Sequence, residues 1–193
     1  MLSSETLSFL SFVVYIAANI PYIRAILKKQ TQPAKASWLI WAVLDGITIT
    51  GMYLEHAVNG LVIAATLGSW TIAILSLKYG TPGWTKLDKF CLSGAIAGLL
   101  AWWISHNPVY GVAISLAVMF LGSIPTFVSA WADPTREDKT AWSISWTSGV
   151  LAIAAIPVWT LINVAQPLTL FVIQSMIVFI VYVRPTMLKK TTT

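Results

Sequence analysis

Hydrophobic residues in this chain fall into seven long runs, at 7–27, 37–54, 58–79, 88–104, 108–131, 141–162 and 166–184, separated by short polar connections. As a helix rising 1.5 Å per residue, each run reaches across a hydrocarbon core ~30 Å thick, some of them barely. Together they use almost the whole chain and leave no room for a separate soluble domain. The pattern predicts an all-α membrane protein with seven transmembrane helices. No basic segment precedes the first run, so it reads as a retained helix rather than a cleaved signal peptide.

Charge orients the runs. Arg24, Lys28, Lys29 and Lys35 flank the first connection, and Lys78, Lys86 and Lys89 flank the third. Arg136 and Lys139 lie in the fifth, Arg184, Lys189 and Lys190 form the tail, and the second, fourth and sixth connections carry no Lys or Arg. Basic residues concentrate on the cytosolic side of membrane proteins, so the expected topology puts the N-terminus outside and the C-terminus in the cytosol. Short loops point to a bacterial inner membrane. The composition, 57% hydrophobic and 10% charged, is far from the soluble balance. The net charge of +5 needs no nucleic-acid partner, because the basic residues already mark membrane edges and can meet anionic lipid there. A single cysteine, Cys91, excludes a disulfide within one chain.

The chain also echoes itself. Ile20-Pro21 matches Ile124-Pro125 at an offset of 104, and the same offset pairs Thr31 with Thr135, Lys35 with Lys139, Trp38 with Trp142, Ile40 with Ile144 and Asn59 with Asn163. The identities cluster around a Pro-containing helix end, a short polar loop and a Trp-containing helix start. Three helices per copy and one linker helix give both copies the same orientation, a parallel repeat about an axis along the membrane normal. The expected divisions are 1–80, 81–107 and 108–193: first triplet, linker helix, second triplet with its basic tail.

The stretch Ile20-Pro21-Tyr22-Ile23, then Thr31-Gln32-Pro33 and Ser37-Trp38-Leu39-Ile40-Trp41, resembles a PQ-loop repeat. Its echo is Ile124-Pro125-Thr126-Phe127, Thr135, and Ala141-Trp142-Ser143-Ile144. The Pro-Gln dipeptide that names the superfamily reads Pro21-Tyr22 and Pro125-Thr126 here. The resemblance implies a 3+1+3 arrangement like that of the SWEET sugar transporters, the PnuC vitamin transporters, lysosomal amino-acid exporters and KDEL receptors. It implies a small solute such as a sugar, amino acid, vitamin or nucleoside, and no cofactor.

Several residues stand out as candidate chemistry. Asp45 is the one acidic residue in the middle of a run, where a carboxylate costs at least ~2.5–3.5 kcal/mol and so normally faces a cavity or a partner. Trp38, Trp41, Asp45, Thr48 and Met52 recur at helical spacing and form one stripe. Such a stripe suits a ligand with a flat or apolar body and a polar or cationic group; the bland alternative is a structural hydrogen bond to a neighbouring helix. The second copy offers Trp142, Ser145, Gly149 and Ala152 at the matching positions, less bulk and more space. Asn19 aligns with Ser123 and Trp70 with Gln174 near mid-span, and all four join the candidate lining, although Asn, Ser and Gln also serve as glue between helices. Asn59 and Asn163 sit at outer helix ends, where capping is expected. Pro21 and Pro125 lie inside helices and free the carbonyls of Ala17 and Leu121, so they are candidate hinges. Trp84, Trp102, Trp103, Trp131 and Trp159 fall near run ends as interfacial anchors.

Enzyme signals are missing. His56 and His106 lie in outer loops, no phosphate loop or catalytic triad pattern is present, and no metal-ligand spacing reaches membrane depth. Two functions follow: a small-solute transporter working by alternating access, or a non-transporting subunit or receptor that scaffolds a membrane complex, either of them open to homo-oligomerisation.

Overall fold

The computed structural model describes residues 2–54, 60–105 and 108–190. Seven helices run in order: α1 (Ser4–Leu27), α2 (Lys35–Leu54), α3 (Gly60–Tyr79), α4 (Lys86–Ser105), α5 (Pro108–Ala132), α6 (Lys139–Ala154) and α7 (Leu161–Lys190). No strand occurs among the described residues, and a short 3-10 turn at Pro134–Arg136 joins α5 to α6. The loops holding Glu55, His56, Asn59 and His106 fall outside the described residues, as do the side chains of Met52 and Trp102.

Local chemistry explains the helix ends. Ser3 caps α1 by accepting from Thr6 N at 3.1 Å, and Asp138 caps α6 by accepting from Ala141 N at 2.7 Å. Thr85 and Asp88 form a reciprocal capping box on α4: Asp88 N donates to Thr85 Oγ1 at 3.0 Å and Thr85 N to Asp88 Oδ2 at 2.8 Å. At the end of α1, Lys29 takes a left-handed φ of 58°. Its N–H reaches Ile26 O, and Gln30 N reaches Ala25 O, which closes a Schellman turn without the usual glycine.

Among the described residues, three helices are long and apolar enough to cross a membrane: Ser4–Leu27, Gly60–Tyr79 and Asn163–Met187 within α7. Large apolar side chains such as Phe9, Leu67, Ile74, Phe90 and Phe179 face outward. Exposed apolar surface on that scale marks a membrane protein. The sixth run departs from expectation. Helix was expected over 141–162, but α6 ends at Ala154, and its 16 residues span only ~24 Å. Pro157 explains the stop, since it offers no N–H and disfavours helical backbone at Ile156. Helix resumes at Leu161, where Thr160 Oγ1 accepts from Asn163 N at 3.3 Å; Asn163 reaches back to Val158 O at 2.9 Å rather than acting as the cap itself.

α3 packs against both α1 and α2, and α7 packs against both α5 and α6. The two groups meet through α1 on α6 and α2 on α5, while α4 lies outside against α5 and α2. Ser11 and Ser148, both fully buried, lock the first contact: each hydroxyl donates to the other's backbone carbonyl, at 3.0 and 2.8 Å. Gly122 permits the second, because a Cβ there would sit 2.7 Å from Ile40 Cγ2. At one end the polar connections join: Gln32 N donates to Arg136 O at 2.9 Å and Thr81 N to Pro33 O at 3.1 Å. This is the end that carries the basic loops.

Candidate functional site

A central cavity lies between the two groups of helices, with about 50 Å³ of free space. That is room for roughly three or four waters. Among the described residues, every helix except α4 contributes to its wall.

One wall is aromatic. Trp38 and Trp41, a helical turn apart on α2, meet edge to face at 5.0 Å between ring centres. Trp142 of α6 lies 6.3 Å from Trp38, and Tyr22 of α1 lies 5.3 Å from Trp38. Aromatic pairs favour such tilted and edge-on geometries and gain beyond the area they bury. Trp41 Nε1 makes a long 3.4 Å bond to Met119 O on α5, whereas Trp38 Nε1 has no acceptor at hydrogen-bonding geometry.

The other wall is polar. Asp45 is buried at 6% exposure beside Ser69 of α3, whose hydroxyl donates to Thr66 O at 3.2 Å. Among the described residues the one ion pair is Arg136 with Asp133, so Asp45 has no cationic partner there. Gln174 of α7 is also buried, and its Oε1 has no partner. It rests on Gly149 of α6, where a Cβ would come within 2.6 Å of Oε1. Asn19 rests in the same way on Gly68 of α3, with a Cβ at 2.6 Å from Nδ2. Two glycines thus leave space for two cavity amides. No three of His, Cys, Asp or Glu come together among the described residues.

Of the residues singled out from sequence, Asn19, Trp41, Asp45, Ser145 and Gln174 line this cavity together. Three do not. Ser123 is buried but turns its hydroxyl back to Met119 O at 3.0 Å, and Thr48 is half-buried outside the lining. Trp70 is 53% exposed, packs over Gly46, and donates its indole N–H to Ala42 O at 2.8 Å. Its neighbour Ser69 takes the inward place. Pro21 and Pro125 sit within α1 and α5, and both helices continue through them. Beside Pro125, Thr126 N donates to Ser37 Oγ of α2 at 3.1 Å.

Sequence reasoning missed Tyr15, Tyr22 and Ser69 in the lining, and above all Glu137. Glu137 follows the 3-10 turn at the basic end and is buried at 3% exposure. Its Oε2 accepts from Tyr22 Oη at 2.6 Å and from Trp142 Nε1 at 2.7 Å, while its Oε1 has no partner. Burial pushes its carboxyl up to about 7, against the opposing pull of the Tyr22 and Trp142 hydrogen bonds. Nearby Asp133 goes the other way, lowered first by its bond from the Thr135 hydroxyl. Glu137 looks like any loop glutamate in sequence, and no local pattern marks it as buried.

No protein-family model, curated protein or solved structure matches the chain.

Proposed function

We propose that the protein is a seven-helix membrane transporter of a small solute, with its binding site in the central cavity and two parallel three-helix copies moving about it. The observation that carries this reading is Asp45, a buried carboxyl without a cationic partner among the described residues, set in a cavity walled by indoles. A carboxyl at membrane depth is costly, and a scaffold has little use for one.

Internal symmetry supports the 3+1+3 arrangement. α1–α6 and α2–α5 are equivalent contacts if α1, α2 and α3 correspond to α5, α6 and α7. Residues 104 apart meet each other across the centre, Trp38 against Trp142 and Gln32 against Arg136, as positions beside a two-fold axis must. Buried positions match at that offset on the first two helices of each copy: Ala18 with Gly122, Tyr22 with Thr126, Ser37 with Ala141. On α3 and α7 they match at 105, pairing Ser69 with Gln174, Ile72 with Ile177 and Ser76 with Val181. One extra residue in the irregular segment after α6 accounts for the shift, and it places Ser69, not Trp70, opposite Gln174. This arrangement, with Pro21 and Pro125 as hinges, is the one the PQ-loop resemblance implies; the cytosolic placement of the basic end rests on the Lys and Arg distribution.

The free space of about 50 Å³ favours the second reading, a scaffold subunit. Under the transport reading it is an occluded state that must widen to admit a solute. Solute binding should alter the emission of Trp38, Trp41 and Trp142. Titrating purified protein with sugars, amino acids, nucleosides and vitamins should give a saturable change for one class, lost in Asp45→Asn. A flat response to all four classes counts against the site.

A further inference from the structure

We propose that Glu137 is a proton-binding site that keeps the basic end of the cavity closed while protonated and releases it on ionising. The geometry is specific. Glu137 belongs to the α5–α6 connection, yet it holds Tyr22 from α1 and Trp142 from α6 on one oxygen. Both partners line the cavity, so this carboxyl joins the two groups of helices at the end of the solute site. Its second oxygen is buried without a partner.

That asymmetry sets the sign. As a neutral acid, Glu137 can keep Oε2 as a carbonyl that accepts both bonds, and its unpartnered O–H costs comparatively little. As a carboxylate it leaves half its charge on a buried oxygen that no donor reaches, which is far costlier. Separating α1 from the connection admits water to that oxygen, so ionisation favours the open arrangement. The proton lost goes to that water.

The surrounding charges do not offset this cost. Asp138, next in the chain, raises it further. Arg136 of the preceding turn pairs with Asp133 at 3.6 Å. From α7, Arg184 donates to Trp131 O at 3.1 Å and lies 4.7 Å over that ring. α5 contains no charged residue. With the carboxyl at about 7 when closed and ~4.3 when hydrated, the closed-to-open ratio should fall about tenfold between pH 6 and pH 8. The transport reading gives this switch its purpose, coupling solute access to proton release, but the test below needs no transport and so fails independently of it.

The test uses cysteine accessibility in purified full-length protein. Ala141 lines the cavity beside Trp142 and is 3% exposed, so Ala141→Cys in a Cys91→Ala background reports opening. Modification by a water-soluble maleimide is measured at pH 6 and pH 8, with Glu137 intact and in the Glu137→Gln variant, which mimics the neutral acid. Intrinsic thiol reactivity is the same in both proteins and cancels. The ratio of rates, pH 8 over pH 6, should be about tenfold larger with Glu137 intact than in Glu137→Gln. Tyr22→Phe removes one donor to the carboxylate and should move the midpoint to higher pH. Equal ratios, a smaller ratio with Glu137 intact, no reaction in either protein, or a midpoint unmoved by Tyr22→Phe overturns the proposal.

Discussion

Replacing Glu137 by Gln should flatten a large part of the protein's pH dependence of stability. The carboxyl is 3% exposed and held at about 7, against ~4.3 for an ordinary glutamate. The folded protein therefore binds a proton that the unfolded chain has already released between those values. Stability tied to Glu137 is complete below about pH 4 and is lost as the pH rises to about 7. At ~1.4 kcal/mol per unit, the loss comes to about 3–4 kcal/mol. For a chain of 193 residues that corresponds to roughly 7–14 °C in Tm. Thermal unfolding in detergent, followed by tryptophan fluorescence from pH 4 to pH 8, should show the wild type losing that much more than Glu137→Gln. Other titrating groups, including Asp133 with its opposite shift, are common to both proteins and drop out of the difference. Parallel curves, or a wild type that gains stability relative to the variant as pH rises, would refute the reasoning.

Gly149→Ala should push Gln174 into the cavity, because the new Cβ would lie 2.6 Å from its Oε1. Since that contact is the flexible end of a side chain, the fold should survive with a Tm change of a few degrees while solute affinity drops about tenfold, or ~1.4 kcal/mol, in a binding titration. Removing both Ser11 and Ser148 hydroxyls should cost about 1–2 kcal/mol in unfolding experiments, and a double-mutant cycle should be non-additive because the two share their bonds. Trp70→Phe should leave solute binding unchanged and cost about 1 kcal/mol for its lost bond to Ala42 O, since the ring faces outward.

The helices were legible because long apolar runs carry an unmistakable signal: α1 to α5 begin and end within three residues of the expected bounds, while α7, at Leu161–Lys190, outruns the expected 166–184 at both ends. The sixth failed at its C-terminal end, where Pro157 overrides a run that is still apolar by composition. In the cavity, the Trp38–Asp45 stripe was readable because helical spacing alone puts those residues on one face. Which face of α3 points inward was not readable. Almost uniform hydrophobicity leaves α3 without a polar side to orient it, so Trp70 and Ser69 could not be ranked. The space at Gly149 was anticipated, but its occupant, the Gln174 amide, depends on how α7 packs against α6. Glu137 was beyond reach for a different reason: its burial comes from Tyr22, 115 positions away in sequence.

If the cavity around Asp45 binds and moves a solute, transport must depend on that carboxyl. Uptake into proteoliposomes, run on a panel of sugars, amino acids, nucleosides and vitamins with wild type and Asp45→Asn in parallel, tests it most directly. The amide is nearly isosteric with the acid, so the variant should fold and insert normally. The wild type should show saturable uptake of one solute class, and Asp45→Asn should lose that uptake or its pH dependence. Asp45→Asn transporting at the wild-type rate with an unchanged pH profile would contradict it, as would a folded wild type that moves nothing on the panel.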